Sequence, residues 1–178
     1  MPRLFTGLEI PADVGRALSQ YRGGLPGARW VEPENYHVTL RFIGDIDDAM
    51  ARDMFSVLGE GRRRGTIAVG LDRLATFGGD RPRALFARVE PTSDLQDLQA
   101  EQERLIRRVG LPPEKRKFTP HVTLARLRDT SPVDAAHYIA THGHFQRLTF
   151  TAERFVLYSA RESTGGGPYL VEAAYPLG

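Results

Sequence analysis

The tetrad His-Val-Thr-Leu occurs twice in this chain, at 37–40 and at 121–124, with the two histidines 84 positions apart. On a β-strand successive side chains take opposite faces, so His37 and Thr39 share one face while Val38 and Leu40 take the other. The same pattern sets His121 and Thr123 against Val122 and Leu124. Each copy therefore offers an imidazole beside a hydroxyl, about 7 Å apart along the strand. Two such pairs around one space would suit the oxygens of a phosphate. Histidine titrates near neutrality, so one ring can act as base and the other as acid. Opening a cyclic phosphodiester requires both, one to deprotonate water and one to protonate the departing ribose oxygen. The threonine hydroxyls can donate to non-bridging oxygens as charge develops. No carboxylate falls on the shared face, so the pattern predicts neither a metal ion nor another cofactor.

Elements that could bring the tetrads together are repeated along the chain. Leu4–Pro11, Leu85–Pro91 and Tyr169–Pro176 each alternate with period 2 and close on proline, as strands do. Helices are expected after the first two. Val14, Leu18 and Tyr21 share one helical face, and Leu95, Leu98, Leu105 and Val109 another, behind a capping pattern at Ser93 and Gln96. Shorter helices are expected after each tetrad, at 47–58 and behind Ser131-Pro132. Asp72-Arg73-Leu74 and Glu153-Arg154-Phe155 lie in strand-like segments 81 positions apart, an offset that Phe5 and Phe86 share. The expectation is an α+β protein, a single domain over 1–178. It would have two pseudo-symmetric lobes, each an antiparallel sheet backed by helices, with a central cleft between them.

Composition removes several function classes. Cysteine is absent, which excludes disulfides, thiolate metal sites and cysteine nucleophiles. No apolar run reaches the length of a membrane span, and the N-terminal residues lack a secretory pattern, so a cytoplasmic protein without membrane contact is expected. The net charge is only +2, but lysine occurs solely at 115 and 117 and all other cationic side chains are arginine, whose planar fork suits phosphate oxygens. Of the local basic clusters, Lys115-Arg116-Lys117 stands out because it lies just before His121. Gly165-Gly166-Gly167 lacks the lysine and hydroxyl of a P-loop and reads as a hairpin connection. His137, His142 and His144 lack metal-ligand spacing and read as a solvated helix end. No G-x-S-x-G elbow is present.

The paired tetrads resemble the two His-x-Thr-x motifs of the 2H phosphoesterase superfamily. The chain is most similar to the RNA 2′,3′-cyclic phosphodiesterases, first described as 2′-5′ RNA ligases. The likeness extends over Arg3-Leu4-Phe5, Trp30 to Tyr36, His37 to Gly44 and Lys117 to Arg126. It implies hydrolysis of RNA 2′,3′-cyclic phosphate ends to 2′-phosphomonoesters without metal. His37 would be the proton donor to O3′ and His121 the proton acceptor from water, with Thr39 and Thr123 on the phosphate. The residues alone leave that acid–base assignment open, because the halves are nearly symmetric. Arg126 matches a family arginine near the phosphate, although strict alternation puts it on the face opposite His121 and a bulge is needed to return it. Phe42 has the same offset in the first copy and either stacks on a nucleobase or packs in the core. Arg41 falls on the predicted face of His37 and Thr39 and is a candidate for the RNA backbone. End-joining, the reverse reaction with a ribose hydroxyl in place of water, is the second reading, and a non-catalytic RNA-binding module the third. A monomer is expected, since the duplication already supplies both sides of a cleft.

Overall fold

In the computed structural model, residues 3–160 and 167–178 are described. The Gly165-Gly166-Gly167 connection read from the sequence therefore falls, Gly167 apart, outside the described residues. The strands are β1 (Arg3–Glu9), β2 (Ala28–Trp30), β3 (His37–Asp45), β4 (Ile67–Phe77), β5 (Ala84–Val89), β6 (His121–Leu127), β7 (Leu148–Ala152), β8 (Arg154–Ala160) and β9 (Tyr169–Pro176). Four α-helices join them among the described residues: α1 (Ala12–Ser19), α2 (Asp48–Leu58), α3 (Ser93–Arg108) and α4 (Pro132–Thr141). No helix among them is long and apolar enough to cross a membrane.

The antiparallel strands run in the order β7-β4-β5-β6-β3-β1-β8-β9, with β2 added beside β6. The sheet divides at its centre, where β3 and β6 meet through one residue pair, Val38 with Val122. On one side lie β6, β5, β4 and β7, and on the other β3, β1, β8 and β9, so each tetrad strand begins a four-stranded half. These halves do not coincide with the halves of the sequence. β4 belongs to the first repeat yet pairs with β5, while β8, its counterpart in the second, pairs with β1. The two repeats exchange their third strands, which interlocks the lobes.

The helices follow from amphipathic spacing. α3 buries Leu95, Leu98, Leu105 and Ile106 and packs against β3, β4 and α2. Burying each such side chain stabilises by roughly 1.5–3 kcal/mol. Its cap is Thr92, whose hydroxyl accepts from the Leu95 N–H at 3.2 Å. The expected cap, Ser93, is the first helical residue, because Thr92 holds the extended backbone that a cap needs. α2 is capped by Asp47, and α4, as the sequence indicates, by Ser131 with Pro132 in its first turn. Val38, Leu40, Val122 and Leu124 all lie in the core, which presses the apolar face of both tetrads inward and leaves the His/Thr face toward the cleft.

Candidate active site

Val38 stands opposite Val122 in an antiparallel pair. That register puts His37 toward Thr123 and Thr39 toward His121, all four on the side away from the core. Because pairing stops after one residue pair, the strands diverge and open a cleft. Burial lowers both histidine pKa values, the positive charge of Arg126 lowers both further, and His121 adds to the effect on His37.

The imidazoles are held alike. His37 Nδ1 donates to the Asn35 carbonyl at 2.9 Å, and His121 Nδ1 donates to the Thr119 carbonyl at 2.7 Å. In each case the acceptor lies two residues upstream. A proton fixed on Nδ1 leaves Nε2 as the working nitrogen of both rings. His37 Nε2 lies 3.0 Å from Thr39 Oγ1, so the hydroxyl can serve the ring or a bound oxygen. A 3-10 turn, Pro33–Asn35, presents the Asn35 carbonyl, and the Asn35 side chain accepts from the Tyr169 N–H at 3.3 Å.

Aromatic rings enclose both histidines. Phe5, Tyr158 and Tyr169 surround His37 with centroids 5.0, 5.4 and 4.9 Å away. Phe77 and Phe86 flank His121 at 4.9 and 5.2 Å. Phe77 and Tyr158 come from the exchanged strands β4 and β8 at the repeat's own offset. Burial against these rings is the largest cause of the pKa depression, which carries His37 down to about 4 and His121 down by less.

One irregularity, made twice, decides what else faces the cleft. Thr6 pairs with Arg41 and Gly7 with Thr39, so Leu40 is an extra residue in β3. Leu85 pairs with Ala125 and Phe86 with Thr123, so Leu124 is an extra residue in β6. A bulge at the fourth tetrad residue reverses the alternation beyond it. Phe42 and Arg126, both five residues past their histidine, return to the cleft face and are exposed, Phe42 to 49%. This is the bulge that Arg126 requires. The same bulge overturns the expectation for Arg41, which turns away from His37 and Thr39 and is only 7% exposed. Its guanidinium binds Glu103 at 2.6 Å, the Pro112 carbonyl at 2.7 Å and the Phe42 carbonyl. Arg41 is thus a bracket between β3, α3 and the segment before His121. Thr6 supports the first bulge from below, accepting the Arg41 N–H at 3.1 Å and donating to Gln102 at 2.5 Å.

The 2′-5′ RNA ligase superfamily model matches residues 10–164, most of the chain including both tetrads. The chain belongs to that superfamily. Among its relatives, the RNA 2′,3′-cyclic phosphodiesterase of Bacillus subtilis is 28% identical over 162 residues, covering 88% of this chain and 87% of the relative. The Aeropyrum pernix protein of the same name is 37% identical over 107 residues, covering 59% of this chain and 60%, under two thirds, of its own length. The fold agrees with solved structures. The Thermus thermophilus protein TT0787 superposes with a TM-score of 0.81 at 22% identity, covering 98% and 97% of the two chains. Escherichia coli LigT complexed with 3′-AMP gives 0.78 at 22%, covering 99% of each.

Within this superfamily member the cleft holds about 490 Å³ between the tetrad strands and residues 114–119, lined by Thr39, Phe42, His121 and Arg126. A smaller cavity of about 280 Å³ lies beyond Arg126, walled by Trp30, Glu32, Asn35 and Pro168. Arg126 faces both. The three histidines of the 137–144 region take no part: His142 closes α4 by donating to the Tyr138 carbonyl at 2.9 Å, and His137 and His144 are exposed. No group of three acidic or histidine side chains gathers among the described residues. The residues missed in the sequence are the aromatic enclosure and the two carbonyls. The 81-residue offset of Phe77 and Tyr158 carried a signal for the first; a backbone carbonyl carries none.

Proposed function

We propose that this chain hydrolyses RNA 2′,3′-cyclic phosphate ends to 2′-phosphomonoesters by acid–base catalysis between His37 and His121. The observation that carries this reading is the register around the Val38–Val122 contact, which sets His37 opposite Thr123 and Thr39 opposite His121, with both Nδ1 atoms tied to carbonyls so that Nε2 is the nitrogen each ring can present to substrate. The activity named for the relatives agrees with it.

Water attacks phosphorus in line while the bond from phosphorus to O3′ breaks. His121 Nε2 takes the water proton and His37 Nε2–H donates to O3′, leaving a 2′-phosphate. Thr39 and Thr123 donate to non-bridging oxygens, and Arg126 offsets the charge that builds there. Phe42, exposed on the same side, stacks on the terminal base. Acid, base and charge neutralisation all come from side chains, so the reaction needs no metal. Arrival of the anionic phosphate raises the His37 pKa and loads the donor.

Incubation of an oligonucleotide ending in a 2′,3′-cyclic phosphate with the protein in EDTA tests this. Full turnover to the 2′-phosphate is expected, with a loss of about 10²–10⁴-fold in each of His37→Ala and His121→Ala. Dependence on a metal, or wild-type rates in either variant, would overturn the mechanism. A second reading, end-joining through a 5′-hydroxyl, is favoured by the cavity beyond Arg126, which offers room for a nucleoside on the far side of the phosphate. In water the equilibrium still favours hydrolysis.

A further inference from the structure

Arg83, Arg116 and Lys117 also line the cleft, and the proposed chemistry uses none of them. All three are exposed, and among the described residues none is paired with a carboxylate. This contrasts with Arg41, Arg64, Arg88, Arg147 and Arg154, each held by an acidic partner. The acidic residue of the cleft wall, Glu114, is engaged by the backbone: its carboxylate accepts from the Arg116 N–H at 3.0 Å. Its own N–H donates to Glu103 at 3.1 Å, and Arg41 fixes Glu103 in turn. The backbone at Arg83, just before β5, is fixed as well, through the Leu127 N–H to the Arg83 carbonyl and the Arg83 N–H to the Phe77 carbonyl, both at 2.8 Å. Three cations without a carboxylate partner among the described residues therefore line the cleft, Arg83 and Arg116 on anchored backbone.

The chemistry of the end sets what they can meet. A nucleotide whose 2′ and 3′ oxygens are both closed on one phosphate can continue only through its 5′ oxygen. Charge recognised beyond the cyclic phosphate therefore belongs to upstream phosphates of the same strand. We propose that Arg83, Arg116 and Lys117 form a track for the two or three phosphodiesters preceding the cyclic end, so that the protein selects polynucleotide ends over cyclic mononucleotides. The inference rests on the phosphodiesterase reading above.

Ion release gives it a numerical signature. Three neutralised phosphates of a single strand predict a log–log salt slope of about −2. Raising salt from about 50 to about 200 mM should then lower kcat/KM for a tetranucleotide cyclic phosphate about twentyfold. In the double variant Arg116→Ser, Lys117→Ser one cation remains, and the same step should cost only about threefold. The experiment compares a nucleoside 2′,3′-cyclic phosphate, the same compound bearing a 5′-phosphate, and the tetranucleotide. A tetranucleotide preference that shrinks with salt and with the double variant supports the track. Equal kcat/KM for the nucleoside and tetranucleotide at low salt overturns it. So does recovery of the whole preference by a lone 5′-phosphate, which would make the ligand a mononucleotide diphosphate. If none of the three substrates turns over, the phosphodiesterase reading itself fails, and the salt dependence of tetranucleotide binding still decides whether the track exists.

Discussion

Val38 and Val122, the second residues of the two tetrads, form the sole backbone pairing between β3 and β6. Both are fully buried. This contact acts as the pivot of the site. It sets each histidine opposite the other repeat's threonine and diagonal to the other histidine, and its isolation keeps the strands apart beyond it. Extending the pairing would close the cleft, and losing it would separate the rings.

The depressed histidines predict where activity lies on the pH axis. In the free protein both rings titrate below the ordinary 6.5, His37 at about 4. The singly protonated state is therefore most populated below pH 6.5, mostly with the proton on His121. The productive form, His37 charged and His121 neutral, is a minor fraction of it that follows the same pH dependence, so kcat/KM, which reports the free enzyme, should fall as pH rises above that range. A bound phosphate anion raises both pKa values, so the kcat profile should be displaced to higher pH. Rate profiles at low and saturating substrate check this. A kcat/KM optimum more alkaline than that of kcat would refute it.

Burial of His37 also predicts an acid-sensitive stability. Its folded pKa of about 4 lies below the unfolded value, so the folded state resists protonation. Stability is full above about pH 6.5, declines as pH falls toward 4, and the total contribution is at most about 3 kcal/mol. Thermal melts from pH 7.5 to 4 should show a smaller decline in His37→Gln. Inorganic phosphate, which favours the charged ring in the cleft, should protect the wild type more than the variant. Parallel pH curves for the two proteins would rule this account out.

Much of this arrangement is legible in the sequence, and the exceptions share one physical source. The tetrads, the capped helices and the duplicated strands follow from local chemistry and periodicity. Arg126 reaches the cleft only with a bulge, and strict alternation carried through Leu40 assigns Arg41 to the wrong face. A bulge arises from how neighbouring strands pair, and Thr6 and Gln102, its supports, lie 35 and 61 residues from Arg41. The exchange of β4 and β8 is equally a matter of pairing. A repeat in sequence shows that two units are alike without showing which lobe each strand joins.

Thr6→Val tests the support of the first bulge. The replacement keeps the shape of the side chain but removes the acceptor for the Arg41 N–H and the donor to Gln102, whose Nε2 is already buried without a partner. Leaving these buried groups unmet costs about 1–3 kcal/mol. If β3 relaxes to regular alternation, Phe42 leaves the cleft face. KM for an oligonucleotide should then rise while the His121 side stays intact, visible as an unchanged His121 resonance. A variant as stable as the wild type with unaltered KM would show that the bulge does not depend on Thr6.

Arg41 separates a structural role from direct RNA contact. Arg41→Ala leaves Glu103 without its closest cation and frees the Pro112 carbonyl, which should cost about 1–3 kcal/mol, the range for leaving hydrogen-bonding groups unmet. The double replacement Arg41→Met, Glu103→Leu removes both charges together and should recover much of that loss, because no buried ion is left unpaired. If Arg41 instead contacted RNA, the double variant would bind as poorly as Arg41→Ala despite its recovered stability. Denaturant unfolding and oligonucleotide binding on the three proteins therefore distinguish the roles. Stability should follow the charge balance, and binding should follow stability through the loop that Arg41 and Glu103 hold before His121.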